Sequence, residues 1–166
     1  MKWLIDLLRR RATYTGPNAG LLRQVRSKGW RKAYRSRGIW CHRVPKMTDL
    51  PGTKGSVAAL PGDLHCMSED LSVLWIGSSK HIRTCYQTTN ARKRVQNRTY
   101  LWFEPKAVSR RLVVQPGVPF RVTDGKHIFS GGTTDWLLMD YADRRIAEPH
   151  LMIMSNEMLH ATYTIK

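Results

Sequence analysis

Short runs of alternating apolar and polar residues dominate the chain from residue 63 onward. The runs are rich in Val, Ile, Thr, Tyr and Trp and are bounded by turn-forming residues, a pattern typical of strands with one solvated face. The alternation is clearest at 161–165. Together the runs predict strands at 71–76, 82–88, 98–103, 108–114, 120–123, 136–141, 151–154 and 161–165.

The connections between these runs are short and rich in Gly and Pro. The segments 115–119 and 123–126 have turn composition, and the second is typical of a hairpin. An amphipathic pattern of helix length is absent from this region, except around 140–146. We therefore expect a mainly β domain with an antiparallel sandwich or barrel.

The first 62 residues follow a different pattern. Residues 3–12 predict a short helix with Trp3, Leu4, Leu7 and Leu8 on one face, ended by a Gly-Pro break. Residues 21–37 are basic, contain Trp30 and Tyr34, and fit either a partly helical or an extended segment. We expect a basic N-terminal arm at 1–46 containing a short helix, a turn-rich linker at 47–62 and a compact β-rich domain at 63–166.

Charge is concentrated in this predicted arm. The 166-residue chain has a net charge of +16, and its first 46 residues carry thirteen Lys or Arg but a single acidic residue, Asp6. An arm of this composition repels itself and buries little apolar surface, so its natural counter-surface is a polyanion. Neutralising phosphates releases condensed counterions whatever the base sequence. The charge predicts a nucleic-acid-associated protein rather than an enzyme acting on small molecules.

Two groups of residues are the candidate nucleic-acid contacts. In the arm, cations would contact phosphates while aromatics wedge against bases or a neighbouring protein, with Trp40 as a further candidate wedge. In the domain, residues 90–98 predict a basic loop between two strands without acidic neighbours. The predicted contacts are Arg9, Arg10, Arg11, Arg23, Arg26, Trp30, Arg31, Lys32, Tyr34, Arg35 and Arg37 in the arm, and Arg92, Lys93, Arg94 and Arg98 in the domain.

The aromatic residues beside this basic loop allow two interpretations. Tyr100 and Trp102 alternate with Leu101 and Phe103. Alternating aromatics are more typical of cross-strand packing than of a platform for bases. A base platform remains the alternative.

Other chemistry has weaker support. Cys41, Cys66 and Cys85 lack the spacing of a zinc knuckle, so buried thiols in a reducing compartment are expected instead of a metal site. A nuclease-like metal site at Asp135, Asp140, Asp143 and Glu148 competes with simple ion pairing to Arg144 and Arg145. Common nucleotide-binding and hydrolase motifs are absent. We expect no catalytic activity, cofactor, small-molecule substrate or membrane span.

Two non-enzymatic functions fit an arm followed by a β domain. The first is a structural RNA-binding component of a ribonucleoprotein, in particular a mitochondrial or other organellar ribosomal protein that contacts rRNA and neighbouring proteins of a large assembly. The alternative is a small virus coat protein with a genome-binding arm and a β-sandwich shell domain. The patterned helix favours the first. We expect an intracellular location, and the Arg-rich, acid-poor start fits equally a mitochondrial transit sequence and a short amphipathic helix that packs on a neighbour.

Overall fold

The computed structural model describes residues 13–53, 55–106 and 110–166. These residues divide into two compact units. The first contains the chain up to residue 33, residues 110–156 and residue 166, and the second contains residues 34–109 and 157–165. The sequence-based division placed boundaries at residues 46 and 62, and both of these positions lie within the second unit.

The described elements are mostly short strands. The helices are α1 (Ala19–Val25), α2 (Ser79–Cys85) and α3 (Asn156–Thr162), with 3₁₀ helices at Arg26–Lys28 and Tyr141–Arg145. The strands are β1 (Arg31–Arg35), β2 (Ile39–Arg43), β3 (Thr48–Gly52), β4 (Gly55–Ala59), β5 (Leu64–Ser68), β6 (Leu74–Gly77), β7 (Tyr86–Val95), β8 (Arg98–Pro105), β9 (Arg110–Val114), β10 (Phe120–Thr123), β11 (Ile128–Gly131), β12 (Trp136–Asp140), β13 (Leu151–Met154) and β14 (Tyr163–Ile165).

The core of the first unit joins α1 to antiparallel strands. Strand β12 pairs with β9 on one side and β13 on the other, and β10 pairs with β11 in a separate hairpin. Leu22 and Val25 lie three residues apart on α1, which places both side chains on one helix face. They pack against a buried cluster of Val114, Phe120, Val122, Leu137, Met139 and Leu151. Tertiary burial therefore stabilises a helix too short to be stable alone.

The second unit is built on a five-stranded antiparallel sheet. Its strand order is β6-β5-β2-β8-β7. Helix α2 covers one face through Ile82 and Cys85, which join a buried cluster of Ile39, Cys41, Leu64, Cys66, Tyr86 and Phe103. The β3–β4 hairpin has a smaller buried cluster of Val44, Leu50 and Ala59. Since one face of the sheet packs on α2, alternate residues of every strand point to the opposite face.

The mainly antiparallel β fold is confirmed. The strands at 120–123 and 151–154 and the hairpin at 123–126 also form as predicted. Among the described residues the strands form four sheets, and none of them closes into a barrel.

Three local predictions are wrong. The strand predicted at 82–88 begins only at Tyr86, because α2 occupies the preceding residues and Ser78 caps it by accepting a hydrogen bond from the His81 backbone N–H. The basic loop predicted at 90–98 is mostly strand, since β7 extends to Val95 and turns directly into β8. The strand at 161–165 is shortened to β14 by the end of α3.

The structure does not show a separate basic arm. Residues 19–43 form α1, a 3₁₀ turn, β1 and β2, and Leu22, Val25, Ala33 and Ile39 are fully buried. Apolar residues between the cations explain this, because each provides a contact to a core. The predicted helix at 3–12 lies outside the described residues.

Candidate nucleic-acid interface

The sheet of the second unit presents aromatic rings on the face opposite α2. Ile39 and Cys41 of β2 point into the core, so Trp40 and His42 point to the other face. The same alternation on β8 turns Leu101 toward the core. We call this second face the tryptophan face, and define it by Trp40, His42, Lys93, Arg98, Tyr100 and Trp102.

Two tryptophans lie side by side at the centre of this face. Trp40 and Trp102 are directly paired in the β2–β8 register. Their ring centroids are 4.9 Å apart with an interplanar angle of 53°, and both side chains are only half-buried. Gly38 leaves room for the pair, since a Cβ there would lie 2.1 Å from Cζ2 of Trp102. The glycine thus allows the indole to lie against the backbone, and the remaining indole surface faces solvent.

Two cations belong to the same face. The ammonium of Lys93 lies 5.6 Å from the centre of the Trp40 ring. Arg98 is two residues before Tyr100 on β8, and its positive charge acts on the Tyr100 phenol. An exposed cation–π contact is worth about 0.5–1 kcal/mol. A contact this weak leaves Lys93 free to move to a phosphate.

A buried hydrogen-bond chain supports the aromatic rings from one side. His65 makes two contacts, from Nδ1 to the Tyr100 hydroxyl and from Nε2 to the Pro51 carbonyl, each 2.8 Å long. Burial is the largest cause that lowers the pKa of His65, and burial also raises the pKa of Tyr100. Both groups are therefore neutral near pH 7, and the neutral pair holds the Tyr100 ring in place.

The β7–β8 hairpin holds the four predicted domain cations. Arg92, Lys93 and Arg94 are exposed on β7, and Arg98 follows the turn at Gln96 and Asn97. Both turn residues have positive φ angles, 46° and 62°, as a tight hairpin with right-handed twist requires. Within residues 13–53, 55–106 and 110–166, none of the four cations forms an ion pair. Their charge is available to an external anion.

Three of the six described cations that are predicted contacts in the arm lie against aromatic rings. Arg31 lies 5.0 Å from the ring centre of Trp136, and Lys32 lies 5.7 Å from that of Tyr141. Trp30 packs against the core of the first unit, and Tyr34 is half-buried. Arg23, Arg26 and Arg37 remain exposed, whereas Arg9, Arg10 and Arg11 lie outside the described residues.

Arg35 is the most enclosed of these cations. Its guanidinium lies 4.9 Å from the ring centres of both Tyr86 and Tyr163 and donates a hydrogen bond to the Tyr163 hydroxyl. In the described part of the chain, its Nε is buried without a hydrogen-bond partner. Burial is the main cause that raises the pKa of Tyr86. Arg35 therefore stabilises the second unit as a clamped cation, and it is poorly placed to contact an external phosphate.

The alternative metal sites receive no geometric support. Groups of three or more His, Cys, Asp or Glu able to hold a metal are absent from the described ranges. The Cys41 and Cys66 sulfurs lie 3.5 Å apart in the apolar core, and burial raises the pKa of the Cys66 thiol well above its usual range. Asp140 forms an ion pair with Arg111 at 2.7 Å, a different partner from the Arg144 and Arg145 that the sequence predicted.

Sequence reasoning named the hairpin cations and considered Trp40, but it favoured packing for the aromatics of β8. Tyr100 and Phe103 are indeed buried, while Trp102 is half-buried on the tryptophan face. His42 was not considered as a member of a site with aromatic residues. The alternation from Ile39 to His42 was the available signal, because it places Trp40 and His42 on one face.

Comparisons with known proteins return nothing that bears on function: no family model, no curated protein and no solved structure matches this chain. None of the helices in the described part of the chain is long and apolar enough to cross a membrane. The functional argument therefore rests on the chemistry of the tryptophan face and the basic hairpin.

Proposed function

We propose that this protein is a structural RNA-binding component of a ribonucleoprotein, in particular a ribosomal protein of mitochondria or another organelle. The observation that supports the proposal is the proximity of the four hairpin cations to two half-buried tryptophans on one sheet. Arginine supplies planar donors for phosphates, and indoles supply surfaces on which bases stack. Nucleic acid is the ligand that uses both.

Further phosphate contacts come from exposed cations outside the hairpin. Arg23, Arg26 and Arg37 are exposed, and the cluster Arg9, Arg10 and Arg11 adds charge nearer the N-terminus. A net charge of +16 gives such contacts a long-range attraction to RNA. The role is architectural and needs no catalytic residue.

The less basic end of the chain suits protein neighbours in the same assembly. From Asp135 onward the chain carries five acidic and three basic residues. Phosphates repel such a surface, whereas basic proteins of a ribonucleoprotein attract it.

Gradient sedimentation tests the assignment to an assembly. The tagged protein from gently lysed source cells should migrate with ribosomal subunits, and ribonuclease should release it to the top of the gradient. Migration as a uniform particle that resists nuclease would contradict the proposal and would indicate a closed protein shell.

Quantitative binding tests the hairpin itself. Replacing Arg92, Lys93, Arg94 and Arg98 by Gln should weaken binding to single-stranded RNA. It should also reduce the slope of log affinity against log salt by about 0.7 for each lost phosphate contact. A matched control removes four exposed cations elsewhere: Lys80→Gln, Arg121→Gln, Lys126→Gln and Arg145→Gln. Equal slopes for the two quadruple variants would show that general charge, and not the hairpin, binds the RNA.

A further inference from the structure

The tryptophan face is partly covered: Tyr100 is buried, whereas Trp40 and Trp102 keep part of their side-chain surface exposed. The buried cluster of the second unit lies on the α2 side of the sheet, and Trp40 and Trp102 lie on the other side. Trp side chains are enriched at interfaces, where one side of the ring is apolar and the other is wet, so two neighbouring half-buried indoles are suited to contact a partner. The cations Lys93 and Arg98 on the same face define the charge of that partner as negative.

We infer that the tryptophan face binds unpaired RNA bases, and that the RNA at this site is single-stranded. The inference rests on the proposed RNA-binding function and specifies its ligand. Bases in an A-form duplex are stacked on each other and their faces are inaccessible to a protein side chain. Only a base outside a helix can lie on the Trp40 or Trp102 ring.

The cations are placed to bind the backbone of such a strand. Lys93 lies over Trp40, so a base that stacks there replaces the ammonium, which then reaches the adjoining phosphate. Arg92 and Arg94 alternate with Lys93 on β7 and extend the basic surface to the other side of that strand. An RNA strand whose bases stack on the rings of β2 and β8 would place its phosphates along the β7–β8 hairpin.

The pairing of aromatic stacking with nonspecific cations also predicts weak sequence preference. Every base has a π surface, and the tryptophan face offers few side chains that can read base edges. His42 is the exception, but its Nδ1 already contacts the Thr99 carbonyl at 3.0 Å.

The test compares two RNA probes and three proteins. The probes are a labelled oligouridine of about 12 nucleotides, within the site sizes of single-strand binders, and a mixed-sequence RNA duplex of about 16 base pairs. The proteins are the wild-type chain, Trp40→Leu and Trp40→Phe. Leu keeps an apolar side chain but has no aromatic ring on which a base can stack, whereas Phe keeps such a ring. Circular dichroism and thermal melting verify that each variant is folded.

We expect Trp40→Leu to weaken oligouridine binding about 5- to 150-fold, the loss of stacking for one base, and to leave duplex binding unchanged. Trp40→Phe should recover most of the loss. Equal affinities of wild type and Trp40→Leu for oligouridine, or equal losses for both probes, would overturn the inference while leaving RNA binding in place. A wild-type protein that binds neither probe would overturn the proposed function itself.

Discussion

Two basic segments of this chain look alike in sequence and are used differently in the structure. Residues 31–35 and residues 92–98 both place Arg and Lys near aromatic residues. In the first segment the cations lie against rings of their own unit, as Arg35 does between Tyr86 and Tyr163. In the second, Arg92 and Arg94 are exposed, Lys93 lies over the half-buried Trp40 ring, and Arg98 acts on the Tyr100 phenol. Similar composition thus places cations against internal rings in one segment and leaves cations exposed in the other.

The largest expected effect concerns the clamped cation. Arg35→Ala should lower the free energy of unfolding by about 2–4 kcal/mol, because it leaves a cavity between two tyrosine rings. Arg35→Met fills the space and removes a desolvated charge, so its loss should be clearly smaller. Urea denaturation measures both. The exposed neighbour Arg37→Ala is the control and should change stability by less than about 0.5 kcal/mol. An equally small effect of Arg35→Ala would show that the contacts of Arg35 with the two tyrosine rings do not stabilise the second unit.

The next effect separates the two segments by their response to salt. Arg31→Gln and Lys32→Gln each remove a cation–π contact of about 0.5–1 kcal/mol, so each should reduce stability by that amount. The salt slope of RNA binding should stay at the wild-type value. The pair Arg92→Gln and Arg94→Gln should do the reverse, with a lower slope and near-normal stability. A reduced slope for Arg31→Gln would mean that the first segment also contacts phosphates.

Lowering the pH should weaken the hydrogen bonds of His65 that support the tryptophan face. The folded-state pKa of His65 is lowered, so its contribution to stability is complete above the unfolded value of about 6.5 and is lost as pH falls through the folded value. We expect the urea midpoint to fall as the pH is lowered below about 6.5. His65→Gln should remove part of that fall. The difference between wild type and His65→Gln separates the effect of His65 from that of the other histidines. If the urea midpoints of the two proteins fell in parallel as the pH was lowered, His65 would not contribute to the acid sensitivity.

The smallest effect tests the hairpin turn. Gln96 and Asn97 adopt positive φ angles that favour Asn and Gly at these two positions. Gln96→Asn combined with Asn97→Gly should raise stability by about 0.5–1 kcal/mol, since it relieves backbone strain. RNA affinity should not change, because the cations keep their places on the strands. Thermal melting and binding at one salt concentration measure the two quantities.

Local patterns located much of the fold. The strands at 120–123 and 151–154 form as predicted, because apolar residues and flanking turns specify them within a few residues. Helix α2 was missed because its apolar residues Ile82 and Cys85 fit a strand as well as a helix. The Ser78 cap was the signal that distinguishes them.

The sequence by itself determined the charge, the antiparallel β character and the positions of the hairpin cations, since these depend on composition and on neighbours along the chain. Tertiary structure alone decided which cations stay available. Arg35 meets Tyr163, 128 residues away, and is enclosed, while β2 brings Trp40 beside Trp102 and leaves both half-buried. Such long-range contacts depend on strand register and on which sheet face is covered. Hydrophobic periodicity along the chain predicts neither.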